Sequence, residues 1–293
     1  MKYLEKHPII MIIIGIIGIS VSSIFVRYST APSIVTAAFR LSFTSLLMTP
    51  MVFTKRSVKN ELFATSKTNL LLSILSGMFL ALHFSFMFEA LKHTSVASTT
   101  SIIATEVIWV SLGYCLVLKG KLSIKAVLTV IFTLMGSVLI AFGDKSSGGH
   151  LYGDMLALFA AIAVAVYMLI GGVVRKTTST TVYTYLVYTS GATVLLLTSF
   201  ITSGNIFHFG LSPVIVGLLL AVFSTMMGHS IFSWCLKYFT PSFVSTCKLL
   251  EPVVAAIIAV FLFNELPTIH TIIGSVMILS GVYYYSKIEQ QKN

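Results

Sequence analysis

The sequence predicts an all-α polytopic membrane protein, with ten transmembrane helices arranged as two inverted five-helix repeats. Three observations carry that expectation. Of 293 residues, 56% are hydrophobic and only 10% charged, far below the roughly one-quarter charged content of soluble domains. The apolar residues fall in runs of about 20, the length a helix needs to cross the hydrocarbon core. Two stretches of the second half also repeat the pattern of two stretches of the first.

The spans follow in order. Residues 9–27 come after the basic Lys2 and Lys6 and begin like a signal peptide. No small-residue cleavage pattern closes the run, so it is expected to stay attached as the first helix. Span 32–53 has Pro32 at its entrance and carries Arg40 inside it; span 69–91 contains His83 and, near one end, Glu89. Span 95–118 contains Glu106 and Trp109, and 123–143 ends in the run MGSVLIAFG. Span 151–173 holds Tyr167 and the paired Gly171 and Gly172, and 181–203 continues the apolar pattern. Span 212–236 holds His229 and Trp234, and 241–263 opens on Pro241 and carries Lys248, Glu251 and Pro252. Span 268–286 ends in Tyr283, Tyr284 and Tyr285, expected as interfacial anchors. Helices are expected throughout, because each span must satisfy its own backbone polar groups and none shows the alternation of a barrel strand.

The net charge of +10 reads as topology rather than as a nucleic-acid footprint. With a cytoplasmic N-terminus, Lys2, Lys6, Lys55, Arg56, Lys59, Lys67, Lys119, Lys121, Lys125, Arg175, Lys176, Lys237, Lys287 and Lys292 fall on the cytoplasmic side. Arg27, Lys92 and Lys145 fall on the other. That asymmetry, with an even number of helices, puts both termini in the cytoplasm of a bacterial or archaeal cell, with membrane lipids as the surroundings. Cys115, Cys235 and Cys247 lie in apolar spans without a CxxC pairing and are expected as free thiols; neither a metal site nor a cofactor is expected.

The repeat is seen where EALKHTSVASTTSIIATEVIWVSLGYCLVLKGKLS at 89–123 matches WCLKYFTPSFVSTCKLLEPVVAAIIAVFLFNELPT at 234–268, setting Glu106 against Glu251. The run at 135–143 likewise matches IGSVMILSG at 273–281. The units are residues 1–146 and 147–293. An odd helix number per unit inverts the second copy, and inverted copies can exchange roles, opening a central cavity to one side and then the other. A duplicated but static helix bundle is the competing explanation.

The stretch KLLEPVVAAIIAVFLFNELPTIHTIIGSVMILSGVYYY resembles the last two helices of the EamA branch of the drug/metabolite transporter superfamily, and APSIVTAAFRLSF resembles the start of its second helix. The resemblance implies ten helices in two repeats, cytoplasmic ends and export of amino acids or other small metabolites through a central cavity. In that family the link after the fourth helix commonly carries a Gly-Glu pair. Here Asn264-Glu265 stands in the second half and Gly120-Lys121 in the first, so no acidic role falls on the latter.

The ionisable residues inside spans are the candidate substrate-binding or coupling groups. Glu106 and Glu251 read either as carboxylates that exchange a proton or hold a cationic group, or as polar ties between helices. Lys248 stands three residues before Glu251, close enough on one helical face to neutralise it. Arg40 either binds a substrate carboxylate or holds a helix contact through a carboxylate, carbonyls or water. His83 and His229 read as hydrogen-bonding imidazoles, for a ligand or for a packed interface. Trp109, Tyr167 and Trp234 offer faces for a ligand pocket or for plain packing.

The expected activity is secondary transport of a small polar or amphipathic metabolite by alternating access, driven by protons or passive. An integral-membrane structural protein is the alternative. An enzyme is not expected, since HExxH, P-loop, GxSxG and CxxC motifs are all missing from the sequence. A channel would call for a filter repeat or rings of charge.

Overall fold

The computed structural model describes residues 8–26, 28–94, 96–143, 151–254, 257–258 and 268–290. Among these residues the chain is helical and contains no β-strand. It runs through α1 (Pro8–Ser20), α2 (Ser22–Val26), α3 (Ser33–Phe53), the short α4 (Arg56–Phe63), α5 (Lys67–His93), α6 (Val96–Ala104) and α7 (Glu106–Leu116). It continues as α8 (Ile124–Gly143), α9 (Leu151–Val174), α10 (Thr180–Ser203), α11 (Ser212–Leu219), a π-helical segment (Leu220–His229), α12 (Ser230–Cys235), α13 (Pro241–Lys248) and α14 (Ile269–Gln290). Among the described residues, six stretches are long and apolar enough to cross a membrane: Ser33–Phe53, Lys67–His93, Thr99–Leu116, Leu151–Val174, Thr180–Ser203 and Ser212–Cys235. Shorter apolar helices cover Ile10–Val26 and Ile124–Ile140. Asn264-Glu265 and the end of the 241–263 span lie outside the described residues.

The bundle turns apolar side chains both ways, as hydrocarbon on the outside and a packed core on the inside require. In α1, Ile10, Ile13 and Ile17 are exposed whereas Ile12, Ile16 and Ile19 are buried, so a helix that is uniformly apolar in sequence still has two distinct faces. The main packing partners are α5 with α9 and α10, α8 with α14, α3 with α10 and α11, α1 with the π-helical segment, and α9 with α6 and α7; α7 also packs on α13. Small residues set the closest approach. A Cβ on Gly136 would sit 2.8 Å from the Gly274 carbonyl oxygen, and one on Gly274 would sit 2.5 Å from that of Gly136. Apolar helices in lipid gain little from hydrophobic burial against one another, so such close van der Waals contact, with hydroxyl ties, holds them together. Ser45 and Thr189 share a hydrogen bond of 2.7 Å between α3 and α10, as do Ser76 and Tyr183 between α5 and α10.

Helix ends are fastened by local chemistry. Ser179 caps α10 through the Val182 N–H, and the Ser179 N–H itself donates to Glu61 Oε1 at 2.6 Å. Thr240 caps α13 through the Phe243 N–H, while its own N–H donates to Glu289 Oε1 at 2.7 Å. Two sequence expectations change here. Arg175, counted above among the link charges, is buried at the end of α9, where its guanidinium donates to the Ser233 and Thr178 carbonyls. Tyr285 is not an interfacial anchor like the exposed Tyr283 and Tyr284: it is fully buried and donates to Ser242 at 3.1 Å. A free hydroxyl in that position would have lost its water without replacement.

Candidate functional site

Glu106 and Glu251 both stand at interruptions of their helices. The first break is at Thr105, between α6 and α7, and the second at Leu249 and Leu250, after which the helix resumes at Glu251. At both breaks the backbone tightens to three-residue hydrogen bonds, Thr105 to Ile102 at 3.0 Å and Leu249 to Thr246 at 3.1 Å. Each acid therefore begins a new helical segment, where N–H groups without an intrahelical partner favour negative charge.

The break in the second half redirects Lys248. The ammonium donates to Glu106 Oε1 at 2.5 Å and Oε2 at 2.8 Å, across the α7–α13 contact. This corrects the pairing expected from a three-residue spacing on one face. The turn at 249–250 separates Lys248 from Glu251, so Lys248 neutralises the acid of the other half. Its partner is deeply buried, with the Glu106 side chain 4% exposed and that of Lys248 11%. Among the described residues Glu251 has no hydrogen-bonded or ion-paired side chain. Its carboxylate lines a cavity.

Arg40 reaches the same cavity from α3 and is held by hydroxyls rather than by a carboxylate. Nε donates to Thr225 at 2.8 Å, one terminal nitrogen to Ser224 at 2.8 Å and the other to Ser22 at 3.2 Å. Its guanidinium carbon lies 3.8 Å from the centroid of the Phe84 ring, within cation–π range. The π-helical segment makes this clamp possible. Its wider turn, marked by the Ser230 N–H donating five residues back to the Thr225 carbonyl, presents the neighbouring Ser224 and Thr225 to one guanidinium. A guanidinium has five N–H donors, and these three bonds leave others for a ligand.

The two histidines meet beside this group, with ring centroids 6.3 Å apart. His83 Nδ1 lies 2.9 Å from the Ala160 carbonyl oxygen, a contact that requires the proton on Nδ1 and leaves Nε2 as an acceptor. His229 packs edge-on to Phe84, with centroids 5.2 Å apart.

Arg40, His83, Glu106, His229, Lys248 and Glu251 thus line one cavity, with Ser22, Ser224, Ser245, Phe84 and Pro252 among their companions. Its volume is about 50 Å³, room for a few waters at roughly 10–15 Å³ each and too little for an organic cargo. A second cavity of about 250 Å³ opens one helical turn away, lined by Ser29, Ser33, Thr36, Phe88 and Lys92. Thr36 and Arg40 share one face of α3, as Phe84 and Phe88 share one face of α5, and Arg40 stacks over Phe84 between the two spaces.

Trp109, Tyr167 and Trp234 are not brought to the cavity wall. The Trp109 indole N–H is buried without a partner among the described residues. Tyr167 bonds Ser233 at 2.7 Å and approaches the rim through His229, and Trp234 packs on Tyr238. Glu89 sits at the end of α5 in an exposed pair with Lys92 and His93. Ser22, Ser224 and Thr225 join the site without having been singled out by sequence reasoning. Hydroxyls within apolar spans are the available signal, but nothing in the sequence marks the π-turn that aims two of them.

The fold and the charged mid-bundle cavity define a membrane transporter. The chain belongs to the EamA-like transporter family, whose model matches residues 7–142 and again 151–287. It is 25% identical to an Archaeoglobus fulgidus protein named an uncharacterized transporter, over 87% of this chain and 88% of that one. It is 24% identical to the Bacillus subtilis uncharacterized transporter YxxF, over 94% and 87% of the two chains. Human solute carrier family 35 member G1 is 25% identical over 89% of this chain and 74% of its own. A crystal structure 14% identical in sequence superposes with a TM-score of 0.80 over 98% of this chain and 99% of that chain, a likeness of fold.

Proposed function

We propose that this protein is a secondary transporter that exports small metabolites, amino acids among them, by alternating access between two inverted five-helix repeats, residues 1–146 and 147–293. The observation that carries the reading is the cavity where charged groups from both halves converge, Arg40 and Glu106 from the first and Lys248 and Glu251 from the second. Three features support the repeats. Gly136 and Gly274, matched in the sequence comparison, touch each other's backbone, as equivalent residues near a two-fold axis do. Several packing pairs map onto one another when the halves are exchanged: α5 with α9 onto α1 with the π-helical segment, and α3 with α10, α8 with α14 and α7 with α13 each onto itself. The family model also matches the chain twice. The placement of basic side chains supports cytoplasmic termini.

With the Lys248–Glu106 pair internally balanced, Arg40 and Glu251 remain as opposite charges for a cargo carrying both signs. The spare guanidinium N–H groups suit a carboxylate, and Glu251 suits an ammonium. The contracted cavity corresponds to a closed stage of the cycle, which must widen for the cargo to enter.

Proteoliposomes loaded with a panel of amino acids and other small metabolites are expected to show saturable, protein-dependent counterflow of at least one of them. Arg40→Lys, which keeps the charge but loses the fork, is expected to raise the half-saturating concentration about tenfold or more, the loss of one charge-assisted hydrogen bond. Absence of flux across the panel from correctly folded protein would overturn the assignment.

A further inference from the structure

The repeat gives the cavity two equivalent carboxylates, yet the structure treats them differently. Glu106 has both oxygens on the Lys248 ammonium, at 2.5 and 2.8 Å. Glu251 faces the cavity with no hydrogen bond to its carboxylate among the described residues, and only its backbone carbonyl is engaged, by the Ser20 hydroxyl at 3.4 Å. The cause of the asymmetry is visible in the sequence: the position matching Lys248 in the first half is Ile103, so the two acids have one such lysine between them.

We infer that Glu251 is the coupling carboxylate of the carrier, the site at which a proton and the cationic group of the cargo replace each other, and that Glu106 is held out of that exchange by Lys248. The inference rests on the transport reading above. The exchange balances simply. A proton from one side binds a Glu251 oxygen as the cargo ammonium leaves, and it departs to the other side when the next ammonium arrives. The surrounding charges suit a single exchangeable site. Arg40 approaches from α3, Lys248 from α13 and Glu106 from α7, while the imidazoles of His83 and His229 complete the wall from α5 and the π-helical segment. Lys248 makes both of its hydrogen bonds to Glu106 and none to Glu251 among the described residues. A carboxylate without a hydrogen-bonded partner inside a membrane bundle is costly, and taking up a proton or a cation removes that cost. Glu251 alone of the two acids is placed to do so.

The test uses the full chain in proteoliposomes with a cargo identified by counterflow. Counterflow without a pH gradient is compared with accumulation driven by an imposed one. Wild-type protein is expected to perform both. Glu251→Gln, which removes the partner of the cargo ammonium, is expected to weaken counterflow and to lose pH-driven accumulation by at least tenfold, with any residual exchange no longer responding to pH, whereas the flux that Glu106→Gln combined with Lys248→Met retains is expected still to respond to the gradient. Glu251→Asp, with a carboxylate of shorter reach, is expected to keep accumulation and shift the pH of half-maximal rate. The inference is overturned if Glu251→Gln still accumulates cargo, if the double variant loses accumulation while exchanging, or if wild-type protein exchanges cargo without responding to the gradient. Should Glu251→Gln fail to fold, an unchanged pH profile in Glu251→Asp overturns it. Loss of wild-type counterflow for every cargo would instead remove the transport reading itself.

Discussion

Lys248→Met is expected to destabilise the folded protein by about 3–5 kcal/mol, the cost of leaving one member of a buried ion pair without its partner. The Glu106 side chain is 4% exposed and both its oxygens depend on one ammonium. Adding Glu106→Gln to Lys248→Met is expected to recover most of that loss, because a neutral amide beside a thioether leaves no stranded charge. Denaturation in detergent micelles, read by tyrosine and tryptophan fluorescence, gives the three midpoints. A double variant as unstable as the sum of its single variants would show that the two residues act independently and that the bond across α7 and α13 contributes nothing.

Gly274→Ala is expected to cost about 1–3 kcal/mol, as overpacking of a tight contact does. The added methyl would lie 2.5 Å from the Gly136 carbonyl oxygen and 3.2 Å from the Ile140 nitrogen. Both are backbone atoms, so no rotamer change relieves the overlap and α8 must move away from α14. Ser280→Ala, on an exposed face of the same helix, loses only hydroxyl bonds to the Val276 and Met277 carbonyls and is expected to change stability by less than about 0.5 kcal/mol. Equal effects of the two substitutions would contradict a glycine contact at the crossing.

Much of the helical layout is legible in the amino-acid sequence, because spans must match bilayer thickness and loops must hold the charges. The expected span 69–91 corresponds to the helix Lys67–His93, 151–173 to Leu151–Val174, and 212–236 to one continuous helical stretch from Ser212 to Cys235. The pairing of Glu106 with Glu251 by internal comparison also locates two matching helix interruptions. What periodicity does not supply is the identity of neighbours across helices. A helical wheel places Lys248 beside Glu251, and a two-residue turn sends it to Glu106 instead. The wheel also assumes about 3.6 residues per turn, so it does not anticipate the wider π-turn that brings Ser224 and Thr225 together on Arg40. Trp109 and Trp234 illustrate a different limit. Large aromatic rings suit a packed interface as well as a ligand, and only the packing of their neighbours decides which they serve.

Alternating access is tested most directly by the reactivity of one cavity position from the two sides of the membrane. Ile103 lines the cavity without a polar role, and Cys115, Cys235 and Cys247 can be replaced by Ala to give a background free of thiols. In sealed vesicles, Ile103→Cys is expected to react with a membrane-impermeant thiol reagent from either face. Saturating cargo on one side is expected to raise reactivity from one face while lowering it from the other. Reactivity that rises from both faces together would describe an open pore, and reactivity confined to one face under all conditions would describe a static bundle; either contradicts a carrier with a cavity exposed to one side at a time.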